Sequence, residues 1–119
     1  MVRMTDTPDL FTDALPVVLG GNTFGWTSDT EESHAVLDAF VSGGGSLIDT
    51  ADMYSQWADG LSGGESESVL GEWFAASGKR SDVVLATKVG AIQSAPGLER
   101  GVVDRNLDDS LERLRTDVV

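Results

Sequence analysis

The stretch from residue 47 to residue 88, LIDTADMYSQWADGLSGGESESVLGEWFAASGKRSDVVLATK, decides the fold. It begins with a short apolar strand that ends at Asp49, and a polar, glycine-rich loop follows to about Gly64. A helix that ends at Gly78 is predicted next, because its apolar side chains recur at helical spacing, at Val69, Leu70, Trp73 and Phe74. The continuously apolar run at 83–87 predicts a second strand. A strand, a helix and a strand in this order are typical of a parallel β/α unit.

A similar strand and helix precede this stretch. The apolar run Leu15–Leu19 predicts a buried strand, and Gly20-Gly21 gives it a tight exit. Ser28 and Glu31 are spaced as a capping box, in which each side chain satisfies a free backbone N–H group at the start of a helix. The helix is predicted to bury one apolar stripe and to end at three glycines: Val36, Ala39 and Phe40, then Gly43, Gly44 and Gly45.

A third helix and the start of another strand follow the stretch. The apolar residues of this helix share one face, at Val103, Leu107, Leu111 and Leu114, and Val118-Val119 predicts the beginning of a fourth strand. Strand and helix thus alternate three times, which is typical of an α/β fold with a parallel sheet covered by helices. This alternation fits a (β/α)8 barrel and an open, doubly wound sheet equally well.

Composition narrows the classes of function. With 119 residues the chain can form one modest domain, residues 1–14 are predicted to be a loosely ordered leader, and there is no apolar run of membrane-spanning length. The formal net charge of −12 comes without a basic cluster, so a nucleic-acid partner is not expected. The absence of cysteine excludes disulfides and thiolate metal ligands, and no other metal site is predicted. These features, together with the lack of a signal peptide, fit a cytoplasmic protein.

The residues that could carry chemistry follow the predicted strands. Parallel β/α folds bind ligands in the loops beyond the carboxyl ends of their strands, which here are 21–26, 49–65 and 88–97. Because consecutive strands usually lie side by side, about 4.8 Å apart, we expect Asp49 and Lys88 to meet. Tyr54 lies in the loop that begins at Asp49.

These three residue types suit proton transfer to a carbonyl oxygen. A free phenol is a weak acid at neutral pH, and a nearby ammonium stabilises its phenolate. A carboxylate would hold that lysine in place and keep it charged. Spacing alone leaves structural roles open, since Asp49 could be a turn residue, Lys88 could only reach for solvent and Tyr54 could pack within its loop.

Five segments, in order along the chain from about Leu15 to its end, resemble motifs of the aldo/keto reductase family. The central ones resemble the family's Asp and Tyr at this spacing, its G-x-S-E-x-x-L-G helix start and its third-strand T-K-V-G. The five segments are LGGNTFGW at 19–26, LIDTADMY at 47–54, GESESVLG at 64–71, ATKVG at 86–90 and SLERLRTD at 110–117.

The resemblance implies a partial (β/α)8 TIM barrel, of which this chain forms roughly the first three β/α units. It also implies reduction of an aldehyde or ketone with NADPH, and Tyr54 as the general acid. Phe24 and Trp26 are equally expected to be ordinary packing residues. The implied site residues are Asp49, Tyr54 and Lys88 for catalysis, Gly21, Asn22, Thr23 and Asp49 for the cofactor NADP(H), and Phe24 and Trp26 for the substrate pocket.

One residue of the family's catalytic set has no counterpart. Its histidine follows the fourth strand, and the only histidine here, His34, is predicted to be a solvated residue of the first helix beside Glu31 and Glu32. We therefore expect residues 15–119 to be the N-terminal part of the reductase domain, truncated at strand four and inactive alone. The alternatives are a non-catalytic module that binds cofactor or a partner, and an inert fragment that self-associates through its open barrel edge.

Overall fold

The computed structural model describes residues 14–119, so of the predicted leader only Ala14 lies within it. Three strands alternate with three helices, as the sequence predicts. A single 3-10 turn, Arg80–Asp82, leads into the last strand. The elements are β1 Val18–Gly20, α1 Thr30–Ser42, β2 Leu47–Asp49, α2 Glu65–Ser77, β3 Val84–Ala86 and α3 Arg100–Leu114.

The three strands form one parallel sheet in the order β1-β2-β3. Leu19, Ile48 and Leu85 share a row of this sheet on the face that the helices cover, and Ile48 is only 1% exposed. Neighbouring residues along each strand point to the opposite face. That face is open: Val18 is 57% exposed there, so the prediction of a wholly buried first strand is wrong.

The core lies between the sheet and the helices, and α2 supplies most of it. Leu70 is fully buried, and Trp73 is 2% exposed. The predicted stripe of α2 is therefore confirmed, including its end at Gly78, which adopts a positive φ of 68°. The Trp73 indole N–H donates to Asp38 at 3.0 Å, and this bond, more than any other contact, lowers the pKa of the Asp38 carboxyl. The rest of the core is Phe24, Leu37, Ile48, Val69, Phe74, Val83, Leu85 and Leu114.

Helix α1 differs from its prediction by one residue. Its capping box joins Asp29 and Glu32, whose carboxylate and backbone N–H lie 2.8 Å apart, and not Ser28 and Glu31. Asp caps a helix as well as Ser does, so the run SDTEE permits either register. The buried face of α1 also differs from the predicted stripe, because Leu37 is fully buried whereas Val36 is 42% exposed.

Helix α3 packs mainly against α2. Of its predicted apolar stripe only Leu114 is fully buried, and the other three residues are partly buried. The helix also buries Asn106 and Ser110, which a search for apolar residues does not find. Val118 and Val119, predicted to begin a fourth strand, belong to no strand of residues 14–119, and the Val118 carbonyl instead accepts a hydrogen bond from Arg80.

Contact between α2 and α3 depends on the absence of a side chain at Gly71. A Cβ atom at this buried helical position would collide with the backbone carbonyl of Arg113. We expect Gly71→Ala to lower the free energy of unfolding by about 1–3 kcal/mol, because the helices must separate. Gly101 in α3 has no atom within 4 Å of such a Cβ, so Gly101→Ala should instead raise it by about 0.5 kcal/mol.

Urea unfolding of both variants measures this difference. Equal stabilisation by the two alanines would show that α2 and α3 do not pack as closely as described.

Candidate active site

The carboxyl ends of β2 and β3 bring two predicted site residues together. Asp49 is the last residue of β2, and Lys88 lies two residues beyond the end of β3. Backbone hydrogen bonds keep the two chains side by side past the strands, from Thr50 N–H to the Ala86 carbonyl at 2.8 Å and from Asp52 N–H to the Lys88 carbonyl at 3.0 Å. The ladder thus extends far enough to place both side chains above the same sheet edge.

Asp49, Tyr54 and Lys88 form one hydrogen-bonded cluster. The Lys88 ammonium donates to both carboxylate oxygens of Asp49, at 2.8 and 2.7 Å, and to the Thr50 carbonyl at 2.8 Å. The Tyr54 hydroxyl donates to Oδ2 of Asp49 at 3.0 Å, and the ammonium lies 4.8 Å from the centre of the tyrosine ring. The carboxylate therefore bridges the phenol and the ammonium.

This cluster alters the acid–base behaviour of Lys88. Burial by itself lowers the pKa of the ammonium, but the two hydrogen bonds to Asp49, the nearby Tyr54 hydroxyl and the negative charge of Asp49 together outweigh that effect. The net result is a raised pKa. Lys88 therefore stays positively charged through neutral and mildly alkaline pH.

The loop after β1 reaches the same edge of the sheet. Gly21 is buried, and its N–H donates to the Asp49 carbonyl at 2.8 Å. The next two residues are more accessible, since Asn22 is exposed and Thr23 is partly exposed. The loop of the predicted cofactor-binding residues Gly21, Asn22 and Thr23 thus begins beside Asp49, and their role stays a prediction.

The residues present fit the hydroxyl-rich end of a nucleotide cofactor. An ionised carboxylate has about four acceptor positions, and Lys88 and Tyr54 occupy three of those on Asp49. One position on Oδ1 is left for an incoming hydroxyl, and the side chain is 34% exposed. A shallow, mainly apolar concavity of about 250 Å³ adjoins it on the open face of the sheet, lined by Val18, Leu47, Ile48, Asp49, Val84 and Ala86.

Aromatic side chains form one side of the cluster. Trp26 and Trp57, 46% and 45% exposed, pack edge to face with their ring centres 5.4 Å apart, and Trp57 lies 6.0 Å from Tyr54. Trp26 therefore has an exposed face beside the cluster, and its role in a substrate pocket stays a prediction. Phe24 does not offer one, because it is 2% exposed within the core.

Trp57 is absent from the predicted site. Its only signal in the sequence is its position in the loop that carries Tyr54. The edge-to-face contact with Trp26 of another loop becomes visible only in the fold.

His34 is placed differently from its prediction as a solvated residue. Its Nε2 atom lies 3.0 Å from the Val69 carbonyl oxygen, and the side chain is partly buried between α1 and α2. The bond joins the two helices. His34 therefore has a structural position, away from the cluster of Asp49, Tyr54 and Lys88.

A second missed feature is the buried carboxylate of Asp52. The residue is 1% exposed, and neither oxygen has a hydrogen-bond partner. Burial, and next the charge of Glu67, raise the pKa of this carboxyl. Arg113 and the N–H groups of Met53 and Gly90 oppose the shift more weakly, the N–H groups without reaching hydrogen-bonding geometry.

The chain is similar to known proteins in sequence and in structure. Residues 16–119 match the model of the Aldo/keto reductase family. The chain belongs to the aldo/keto reductase family. The aldo-keto reductase AKR11C1 of Bacillus halodurans, in its holo form, superposes with a TM-score of 0.66 and 29% identity over 85% of this chain and 32% of its own. A protein of Pseudomonas aeruginosa assigned to the aldo-keto reductases gives a TM-score of 0.72 at 32% identity, over 92% of this chain and 40% of its own.

Relatives by sequence fall into two sizes. The chain is 56% identical over 77 residues to an 11.2 kDa protein from the crtE 3′ region of Pseudescherichia vulneris, over 64% of this chain and 75% of that protein. It is 38% identical over 108 residues to the oxidoreductase YrpG of Bacillus subtilis, and the match covers 83% of this chain and 32% of YrpG. It is 35% identical over 123 residues to norsolorinic acid reductase B of Aspergillus parasiticus, and the match covers 87% of this chain and 30% of that reductase. The chain thus spans about a third of the named oxidoreductases.

These relatives establish the fold class and support a general role. The structural neighbours are TIM barrels, so this aldo/keto reductase chain is a partial barrel of three parallel strands with an open sheet. The family and the oxidoreductase names of its relatives support an oxidoreductase role. Over residues 14–119, no helix is both long and apolar enough to cross a membrane.

The buried Asp52 carboxylate makes a prediction about stability. Its raised pKa means that the folded chain holds a proton more tightly than the unfolded chain does, so stability is present at low pH and is lost as the pH rises through the folded pKa. We expect Asp52→Asn to remove this loss and to raise the free energy of unfolding at pH 8 by about 1 kcal/mol, because a neutral amide avoids the burial of a charge and its repulsion from Glu67.

Urea unfolding at pH 4, 6 and 8 measures the effect. Asp59→Asn is the control, because Asp59 is an exposed carboxylate of the same loop and its loss should leave stability nearly unchanged at each pH. The assignment to Asp52 fails if both variants follow the parent's pH dependence.

Proposed function

We propose that this chain carries the proton-donating half of an NADPH-dependent aldo/keto reductase that converts an aldehyde or a ketone to an alcohol. The observation that carries the proposal is the cluster of Asp49, Tyr54 and Lys88 at the carboxyl ends of β2 and β3. The name norsolorinic acid reductase B, borne by a relative, supports the direction of reduction.

Tyr54 is the proposed proton donor to the substrate oxygen. Its hydroxyl proton now points to Asp49 Oδ2, and rotation about the phenolic C–O bond aims the same proton at an oxygen placed above the sheet edge. Lys88 lies against the ring face as a cation, which favours negative charge as it develops on the phenolic oxygen. Asp49 holds the ammonium in place through two hydrogen bonds.

NADPH would supply the hydride when bound. The residues proposed to hold its nicotinamide ribose are Asp49, through the acceptor position left on Oδ1, and the loop Gly21, Asn22 and Thr23 beside it. The exposed faces of Trp26 and Trp57 are proposed to contact the substrate, because they flank Tyr54 and offer apolar surface. The protein's part is to orient the carbonyl and to deliver a proton.

The proton-donor role is tested in a complete barrel. Residues 1–119 are joined to the C-terminal remainder of YrpG, and NADPH oxidation is followed with 4-nitrobenzaldehyde. We expect Tyr54→Phe to lower kcat by at least about 100-fold, the scale of a positioned general acid, with NADPH binding retained in a fluorescence titration.

Two controls accompany this experiment. Met53→Leu, a change of similar volume in the adjacent residue, should leave kcat within about twofold. Residues 1–119 alone serve as the blank and are expected to show no turnover. Activity of Tyr54→Phe close to that of the parent would contradict the role of Tyr54.

A further inference from the structure

The first turn of α2 contacts the ends of the strands. Ser66, in the GESESVLG segment, is fully buried. Its hydroxyl donates to the Gly21 carbonyl at 2.7 Å and shares a hydrogen bond of 2.8 Å with the Thr50 hydroxyl. Gly21 and Thr50 are the first residues beyond β1 and β2, so a single side chain joins two strand exits.

Glu67, the next residue of α2, bonds the exit of the third strand and links it to α3. Its side chain is 0% exposed, and Oε1 accepts a hydrogen bond from the hydroxyl of Thr87, the first residue beyond β3, at 2.5 Å. The other oxygen, Oε2, accepts from Nε of Arg113 in α3 at 2.8 Å. Removing either partner of such a buried ion pair is costly, so Arg113 is what allows a charged carboxylate to sit under the strand ends.

The N-terminus of α2 does not use the Glu67 side chain as a helix cap. A Glu in the third position of a helix often reaches back to the N-cap residue to complete a capping box. The N-cap residue here is Gly64, with a φ of 87° and no side chain, so no capping box forms. Glu67 is directed at β3 instead.

We propose that Ser66 and Glu67 are positioning residues for the Asp49–Tyr54–Lys88 cluster, which rests on the proposed function of that cluster. Each of them bonds the residue next to a site residue: Thr50 follows Asp49, and Thr87 precedes Lys88. The backbone ladder sets the register of β2 and β3. The hydrogen bonds from one rigid helix turn add a second constraint at the strand exits, and this constraint holds the Asp49 and Lys88 side chains in the orientation that their ion pair needs.

Thr87 offers the most selective test, because valine has nearly the same shape but lacks the hydroxyl. Thr87→Val breaks only the Glu67 bond to β3 and leaves the Glu67–Arg113 ion pair in place. In chain labelled with ¹⁵N-lysine, we expect the Lys88 ammonium protons to exchange with water about tenfold faster in Thr87→Val. Thr87→Ser restores the hydroxyl and should restore slow exchange.

In the barrel joined to YrpG, Thr87→Val should lower kcat about tenfold with the KM for NADPH within twofold, because a small misplacement of the catalytic groups slows the chemical step more than binding. Ser66→Ala removes the hydrogen bonds to the exits of β1 and β2 and provides an independent second variant. It should show the same faster Lys88 exchange and lower kcat, and because it also frees the Gly21 carbonyl, a change in its KM for NADPH is allowed.

The outcomes separate this inference from the proposed function. Unchanged Lys88 exchange in Thr87→Val and Ser66→Ala, with only a loss of thermal stability, would overturn the positioning role. Faster exchange that Thr87→Ser reverses supports that role even if the completed barrel has no reductase activity, a result that would refute the proposed function alone.

Discussion

The ion pair between Lys88 and Asp49 is the contact on which the candidate site depends. The two residues are 39 positions apart in the chain, yet their charged atoms lie 2.7 Å apart. This is possible because parallel strands end at the same edge of a sheet, so a strand–helix–strand unit returns the chain to a point beside its start. Tyr54 then needs only the short loop after β2 to reach the shared carboxylate.

The helix between these strands determines how well the two ends match. Its apolar side chains, led by Trp73 and Leu70, press against one face of the sheet, and its first turn bonds the strand exits through Ser66 and Glu67. Core and site are therefore two ends of one element. The opposite face of the sheet stays open beside Asp49. In a TIM barrel the helices form the outer ring, so the face without helices lines the interior.

Local patterns predicted much of this arrangement. Asp49 and Lys88 both lie at strand ends, and Tyr54 follows Asp49 closely, so the strand order alone brings the three residues together. The apolar stripe of α2 is regular enough to define its buried face. Patterns failed where two helix registers were equally good, as for the capping box at Asp29. They also failed where burial depends on whether another layer covers the face of the sheet, as for Val18. The Glu67–Arg113 pair, 46 residues apart, and the edge-to-face contact of Trp57 arise from tertiary packing that no local pattern encodes.

The charge state of Lys88 tests the account most directly, because it reports the cluster without requiring turnover. The chain has two lysines, so ¹⁵N-lysine labelling with Lys79→Arg assigns the Lys88 ammonium signal. Titrated by NMR, Lys88 should show a pKa above that of an ordinary lysine, and Asp49→Asn should lower it. A Lys88 that titrates as an ordinary lysine, and is unaffected by Asp49→Asn, would contradict the cluster and the function proposed for it.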